Sequence, residues 1–172
     1  VSRNTLSDLL AYYEDAYLLF SVPEFTRSLA SNTRSASKVY AADPAMFGAF
    51  SPASAQDQGQ RLETAVFNAL RRRTPAVRAA SVCRLLIKEK NKSHEVDFVA
   101  GDALLMQAYS LIQVSVDMAS EKTREREIAA LDAAMAQFDL GESTIVTMDE
   151  QADIPCEHGV VHAVPAWKWL LA

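Results

Sequence analysis

The sequence has few glycines, few cysteines and no long apolar run. Only five of its 172 residues are glycine, and none belongs to a Gly-x-x-x-x-Gly-Lys-Ser/Thr loop, so this chain should contain no nucleotide site of that kind. The two cysteines, Cys83 and Cys156, lie far apart, which favours reduced thiols and a cytoplasmic location over a disulfide framework. Since no apolar run approaches the length of a bilayer span, no membrane partner is expected.

Basic charge is not in excess either. There are 17 Lys and Arg against 22 Asp and Glu, a net charge of −5, which does not favour binding of nucleic acid by the whole surface but allows a local basic groove. The densest basic group is Arg71-Arg72-Arg73. It could contact a phosphate backbone, or it could be a solvated helix end whose charge complements the helix dipole.

The chain can bury one sizeable core, because 49% of its residues are hydrophobic. Near the N-terminus, Ser2 is a suitable N-cap for a helix. A strand over 17–22, a turn at Pro23 and a second strand over 25–29 follow. A helix followed by a hairpin is typical of the second half of a winged helix. We therefore predict a partial winged-helix segment over 1–36 and a main domain over 37–172. A linker over 30–37 lies at their junction.

The main domain has a recognisable order of elements. The pattern predicts a short strand from Lys38, a loop over 46–58 and a helix over 59–73. Strands over 81–88, 94–100 and 109–116 follow, the first two joined by a turn over 90–93. A helix over 121–138, strands over 143–148 and 159–164, and a closing helix over 166–171 complete the chain. The order αβββαβ predicts an α/β fold with a restriction-endonuclease-like core, in which helices flank a mixed central sheet.

Oxygen-bearing side chains occupy the middle of this order. Glu95 and Asp97 alternate along one predicted strand, so they share a face, and Gln113 and Ser115 can meet them from the next strand. Glu63 borders the apolar stripe of the preceding helix. Such oxygens can hold Mg²⁺ or Mn²⁺ for phosphodiester hydrolysis, with Glu63, Asp97 and Gln113 as the predicted ligands.

The last part of this candidate catalytic set is altered. Nuclease sites of this type continue with a carboxylate, one residue and a lysine, and here Gln113-Val-Ser115 stands in that place. Gln113 can offer only a neutral oxygen, and Ser115 cannot replace an ammonium group that orients the attacking water. We expect weak or no cleavage unless Lys38 or Lys88 supplies the missing charge.

Several of these residues have simpler interpretations. Asp97 lies between apolar neighbours, where a carboxylate is costly unless it is paired or metal-bound. Glu63 could be a surface carboxylate of its helix. Glu95 could pair with Lys88 or Lys90 across a hairpin instead of binding metal.

A zinc site is a further possibility in the C-terminal part of the chain, where Cys156, His158 and His162 lie close together in sequence. They offer three ligands at a spacing that matches no standard zinc site. Zinc is therefore not expected from the sequence.

The order of motifs resembles the C-terminal region that follows the ATPase domain in many bacterial and archaeal AAA-type ATPases. The matching motifs are Thr5-Leu-Ser-Asp-Leu-Leu, Glu14-Asp-Ala-Tyr-Leu-Leu-Phe, Lys38-Val-Tyr, Leu62-Glu63-Thr-Ala-Val-Phe, Glu95-Val-Asp-Phe-Val, Ile112-Gln-Val, Arg126-Glu-Ile, Ile145-Val-Thr and Pro165-Ala-Trp-Lys-Trp-Leu-Leu. The resemblance implies a winged-helix remnant and a nuclease-like domain, attached to an upstream ATPase domain of the same polypeptide. It implies no settled activity.

Two functions remain open at this point. The chain could be a nucleic-acid-directed module that engages DNA, with or without cleavage. It could instead be an interaction module that binds a protein partner or assembles the ATPase, with the nuclease scaffold kept only as architecture. The retained Glu63 and Asp97 favour the first, whereas the acidic charge balance and the altered Gln113-Val-Ser115 favour the second.

Overall fold

The computed structural model describes residues 2–28, 37–50, 56–73, 82–88 and 92–172. Its helices and strands follow in the order α1 (Arg3–Asp15), β1 (Leu19–Val22), β2 (Lys38–Ala41), α2 (Met46–Phe50), α3 (Gln56–Arg73), β3 (Val82–Lys88), β4 (Ser93–Asp102), β5 (Gln107–Val114), α4 (Glu121–Phe138), β6 (Glu142–Thr147), β7 (Ala152–Pro155), β8 (Val160–Pro165) and α5 (Ala166–Leu171).

A mixed six-stranded sheet forms the centre, in the strand order β3-β4-β5-β6-β8-β7. β3, β4 and β5 form an antiparallel meander, β6 runs parallel to both β5 and β8, and β7 pairs antiparallel with β8. The parallel step from β5 to β6 needs a crossover, which α4 supplies. The predicted mixed α/β architecture, with helices flanking a mixed sheet, is confirmed.

Apolar side chains cover both faces of this sheet. Leu111 and Ile145 pack with Leu131 and Met135 of α4 in one core cluster. On the other face, Ile112, Phe98 and Val146 pack with Phe67 and other residues of α3. Neighbours in a strand point to opposite faces, which is why Leu111 and Ile112 belong to different clusters. Each fully buried side chain of this size contributes about 1.5–3 kcal/mol.

The predicted N-terminal hairpin is wrong where the structure describes it. Strand β1 pairs with β2 instead, from Leu19 opposite Ala41 to Val22 opposite Lys38. Pro23 lacks an N–H for continuing a ladder. Its carbonyl oxygen accepts from Arg84 N, and Phe25 N donates to Arg84 O. Phe25 is buried and packs edge-on against Phe138, with ring centroids 5.4 Å apart, so this segment docks on β3.

The predicted domain boundary at residue 36 falls between two strands that pair with each other. Val22 of β1 and Tyr40 of β2 belong to the same core cluster as α3, so described parts of both predicted units pack together. Leu29 and the linker over 30–36 lie outside the described residues, as do Ser81 and residues 90–91 of the predicted turn.

Other predictions agree more closely with the structure. The Ser2 side chain caps α1 by accepting from Thr5 N at 3.1 Å, and the helices over 121–138 and 166–171 are confirmed.

The predicted loop over 46–58 is wrong in part, since it contains α2 and the first residues of α3. Strand β7 was not predicted, because its four residues are largely exposed and lack an apolar alternation.

Candidate functional site

Lys38, the first residue of β2, lies among carboxylates from α3 and β4. Its Nζ donates to Asp97 Oδ1 at 2.7 Å and to Glu63 Oε1 at 2.9 Å, and it pairs with Glu95 Oε1 at 3.1 Å. From the sequence, Lys38 was only one of two lysines that could complete the site. The other, Lys88, is exposed at the end of β3.

An irregularity in the sheet aims Asp97 at this lysine. Cys83 pairs with Val99 and Leu85 with Val96, so Arg84 alone opposes both Asp97 and Phe98. Such a bulge bends a strand and redirects its side chains. Asp97 Oδ1 therefore reaches Lys38, while Oδ2 accepts from Val114 N of β5 at 3.0 Å.

Tyr40 fixes the position of Glu63. Its hydroxyl donates to Glu63 Oε1 at 2.6 Å, and its ring stacks on Phe67, one turn further along α3, at a centroid distance of 4.7 Å. Burial and the neighbouring Glu63 carboxylate raise the pKa of Tyr40 above its usual value, so Tyr40 is protonated and donates this hydrogen bond at neutral pH. Nothing in the sequence pointed to this contact, because a tyrosine in a short apolar strand is expected simply as a core residue.

The charges around Lys38 are unbalanced. Burial lowers the pKa of Lys38, but the attraction of Asp97 and Glu63 outweighs it and raises the pKa above the ordinary lysine value. Burial and repulsion from Glu63 raise the pKa of Asp97 to about 6, despite the opposing effect of Lys38. The two pKa shifts have a common cause: Lys38 contacts three carboxylates, so the buried Asp97 shares the Lys38 ammonium with Glu63 and Glu95. The cluster is short of positive charge.

Gln113 is held by hydrogen bonds at both ends of its amide. Its Oε1 accepts from Asp97 N at 3.0 Å, and its Nε2 donates to Glu127 Oε2 of α4 at 2.6 Å. Glu127 is 5% exposed and also pairs with Arg126. Sequence reasoning missed Glu127, although its position four residues before the inward-facing Leu131 places it on the buried side of α4.

Ser115 makes hydrogen bonds to the backbone around the end of β5. It follows the end of β5, where its N donates to Val146 O at 3.0 Å and its Oγ donates to Asp117 O at 2.8 Å. The Ser115 side chain therefore stabilises the loop after β5, and a catalytic role for Ser115 stays a prediction. The ammonium group near Asp97 comes from β2, far away in sequence.

Glu95 pairs with different cations from those predicted. Besides Lys38, its Oε1 lies 3.9 Å from Arg84 Nη1 of β3. Lys88 lies opposite Ser93 in the ladder, and Lys90 lies outside the described residues. Glu95 thus joins Glu63 and Asp97 around Lys38, and these four residues are called the Lys38 cluster. The side chain of Glu95 is 40% exposed.

The arginine triplet lies at the other end of α3 from Glu63. Ten residues separate Glu63 from Arg73, which corresponds to about 15 Å along the helix axis. The Arg71 guanidinium lies over the Phe20 ring at 3.5 Å, and Arg73 donates to the carbonyl oxygens of Trp169 and Leu170 at 2.7 and 3.0 Å. These two arginines join elements of the fold, and a role of Arg71, Arg72 and Arg73 in nucleic-acid binding stays a prediction.

The Lys38 cluster forms part of the wall of an open polar cavity of about 380 Å³. Its lining includes side chains of both signs: Lys38, Glu63, Glu95, Asp97, Gln113, Arg126 and Glu127. Carboxylates, an ammonium and a guanidinium around one cavity can bind a divalent cation and an anionic substrate together.

A second polar cluster lies where the β7–β8 hairpin meets α4. One ligand atom each from Asp132, Glu157 and His158 lies within 4.8 Å of the others, an arrangement that could hold a metal ion. His162 does not join this group, since its Nδ1 contacts Asp153 Oδ1 at 2.7 Å. The set of Cys156, His158 and His162 considered in the sequence is therefore not assembled, and Asp132 from α4 lies beside His158 instead.

The chain has a relative among known proteins that covers almost its whole length. An uncharacterized protein of the archaeon Methanocaldococcus jannaschii is 32% identical over 177 aligned residues, which cover 99% of this chain and 37% of the relative. The chain thus spans little more than a third of the length of that protein. No family model and no solved structure matches the chain. Among the described residues, no helix is long and apolar enough to cross a membrane.

Proposed function

We propose that this chain is a nucleic-acid-directed domain with a divalent-cation-dependent phosphodiester site of the nuclease type, in which Lys38 supplies the charge that Ser115 cannot. One observation carries the proposal: Lys38 Nζ lies 2.7–3.1 Å from the carboxylates of Asp97, Glu63 and Glu95 at an open cavity. Since Gln113 contributes no charge, we expect slow cleavage.

The order of elements supports this proposal. Helix α3 is followed by the antiparallel strands β3, β4 and β5, then by α4 and the parallel strand β6. An αβββαβ order of this kind is what a restriction-endonuclease-like core would have, and it supports that part of the proposal. Glu63 comes from the helix and Asp97 from the middle strand of the meander, the positions at which the sequence placed the metal ligands.

The residues present fit Mg²⁺ or Mn²⁺. Glu63 and Asp97 would hold the ion through hard carboxylate oxygens, and Gln113 Oε1 keeps an acceptor site besides its bond from Asp97 N. Burial and Glu63 raise the pKa of Asp97, and a divalent cation would offset this repulsion between the two carboxylates. A bound ion would stabilise charge on the phosphate and acidify a bound water.

Lys38 would act as a permanent positive charge. Because the carboxylates raise its pKa above the ordinary value, it stays protonated and cannot serve as a general base. With a divalent cation held by Asp97 and Glu63, the Lys38 ammonium would be attracted less strongly to these two carboxylates. The freed ammonium could then donate to a phosphate oxygen, with Arg84 and Arg126 adding positive charge near Glu95 and Glu127.

The test is cleavage of labelled single-stranded and duplex DNA and RNA with Mg²⁺ or Mn²⁺. Wild type would be compared with Asp97→Asn, Lys38→Met and Glu63→Gln, and with Glu142→Gln as a control at an exposed carboxylate. We expect metal-dependent products from wild type and the control, and a loss of at least tenfold in each site variant. Equal cleavage by wild type and Asp97→Asn would remove this site from consideration.

The interaction-module alternative is favoured by a different observation. The residues in and just after α1 expose large apolar side chains, among them Leu6 at 64%, Tyr12 at 71% and Tyr17 at 70%. A protein partner or another part of a longer polypeptide could cover such a surface, and attachment to an upstream ATPase domain stays a prediction of the resemblance. Nucleic-acid binding that is absent even at low salt would favour this alternative, because phosphate contacts are strongest there.

A further inference from the structure

A second candidate metal site lies where the turn between β7 and β8 approaches α4. Asp132 Oδ2 lies 3.0 Å from His158 Nδ1, and Asp132 Oδ1 accepts from His158 N at 2.8 Å. Glu157 brings a carboxylate oxygen within 4.8 Å of both partners. The Cys156 thiol donates to Gly159 O at 3.2 Å and lies near the Asp132 carboxylate. Three potential ligand atoms from two elements therefore meet at one point, and the nearby Cys156 thiol could serve as a fourth ligand.

The backbone of this turn is closely fixed before any ligand binds. Cys156 N donates to Gly159 O at 2.9 Å, and Val160 N donates to Gly141 O at 3.0 Å. Gly159 approaches Gly141 so closely that a Cβ there would lie 2.1 Å from Gly141 O. A turn held this way presents Cys156, Glu157 and His158 to α4 at little further entropic cost.

We propose that Asp132, Glu157, His158 and Cys156 form a zinc site that joins the β7–β8 hairpin to α4. Imidazole nitrogen, thiolate sulfur and carboxylate oxygen are the ligands that zinc takes in proteins, in a four-coordinate arrangement. Binding would replace the contact between Asp132 and His158 by bonds from both to the ion, and the Cys156 thiol would release its proton to solvent. Since Mg²⁺ and Ca²⁺ prefer oxygen ligands only, the nitrogen and sulfur donors favour zinc.

This site is separate from the Lys38 cluster and does not depend on the proposed function. Asp132 lies on α4 five residues after Glu127, and the hairpin residues follow β7 at the far edge of the sheet order from β3 and β4. A metal ion at the hairpin would tie this edge strand pair to the helix, which is a structural role.

The experiment is a titration of the EDTA-treated chain with Zn²⁺ against a competing chelating indicator, followed by Co²⁺ substitution. We expect one Zn²⁺ per chain, a rise in Tm on binding, and a thiolate-to-Co²⁺ charge-transfer band that Cys156→Ser abolishes. Asp132→Asn and His158→Ala should each weaken Zn²⁺ binding at least tenfold. His162→Ala is the matched control, since His162 lies on the neighbouring strand and contacts Asp153 instead.

Two outcomes would overturn the proposal. One is Zn²⁺ binding that is equally strong in wild type and in both Asp132→Asn and His158→Ala. The other is the absence of stoichiometric binding to wild type at neutral pH. An Asp97→Ala variant separates the two sites: it should keep Zn²⁺ binding at the hairpin, and loss of binding in that variant alone would assign the ion to the Lys38 cluster.

Discussion

At the scale of single residues, Lys38 determines whether the buried carboxylates can stay ionised. Its Nζ contacts Asp97 and Glu63 directly, at 2.7 and 2.9 Å. Lys38→Met keeps the length of the side chain and removes its charge, so Asp97 and Glu63 would repel each other without compensation. We expect a loss of about 1–3 kcal/mol in the free energy of unfolding at pH 8, and a smaller loss at pH 5, where Asp97 can take a proton.

The measurement is urea unfolding at both pH values, with Lys88→Met as the control. Lys88 is an exposed lysine at the end of β3, so its replacement should change stability little. A loss in Lys38→Met that is the same at pH 5 and pH 8 would show that the ammonium does not offset these carboxylates.

The raised pKa of Asp97 predicts that the stability of the fold depends on pH. Burial and repulsion from Glu63 raise its pKa from 3.8 to about 6, so the folded state binds this proton more tightly than the unfolded state. Its contribution is therefore fully present below about pH 4 and is lost as pH rises through 6. In EDTA, the stability of wild type relative to Asp97→Asn should fall by about 2 kcal/mol between pH 4 and pH 7. A difference that rises with pH would contradict this assignment.

At the scale of elements, Gln113 joins β5 to β4 and α4. Its Oε1 accepts from Asp97 N, and its Nε2 donates to the buried Glu127. Gln113→Glu would restore the carboxylate of the nuclease pattern but set it against Glu127. We expect a loss of about 2 kcal/mol at pH 8, the cost of a buried unpaired charge.

The exchange variant Gln113→Glu/Glu127→Gln tests the cause of that loss. The carboxylate introduced at position 113 can accept from Asp97 N and from the amide introduced at position 127. The double variant should therefore regain stability relative to Gln113→Glu, as measured by a double-mutant cycle. No recovery would mean that the contact between Gln113 and Glu127 does not carry the effect.

The β7–β8 turn gives a second prediction at this scale. A Cβ at Gly159 would lie 2.1 Å from Gly141 O, which is backbone and cannot swing away. Gly159→Ala should therefore destabilise the fold by about 1–3 kcal/mol. Gly141→Ala is the control, because a Cβ there meets nothing within 4 Å. Thermal unfolding of both variants would test this, and equal Tm values would contradict it.

The elements of this fold were predictable where the pattern is local. The helix over 121–138 and the existence of a strand around Asp97 follow from apolar spacing, so both were visible in the sequence, whereas the bulge at Asp97 was not. The pairing of β1 with β2 was not visible, because it depends on Pro23 and Phe25 docking on Arg84 of β3. The residues of the candidate site were likewise predictable only where the pattern is local. Glu63 and Asp97 were found from their helix and strand, whereas the positions of Lys38 and Asp132 depend on contacts distant in sequence.

At the scale of the whole molecule, the chain has a net charge of −5, so the positive charge at the proposed site is local. Any nucleic acid would have to approach the cavity at Lys38 against this overall charge, and a bound divalent cation would lower that barrier locally.

Calorimetric titration with Mn²⁺ tests the central claim most directly. It should be done in an Asp132→Asn background, so that the hairpin cluster does not contribute. We expect one Mn²⁺ per chain, with binding that weakens as pH falls through about 6, where Asp97 takes a proton, and that disappears in Asp97→Asn but not in Glu142→Gln. Mn²⁺ binding that survives Asp97→Asn unchanged, or no binding at pH 8, would contradict a divalent-cation site at Lys38.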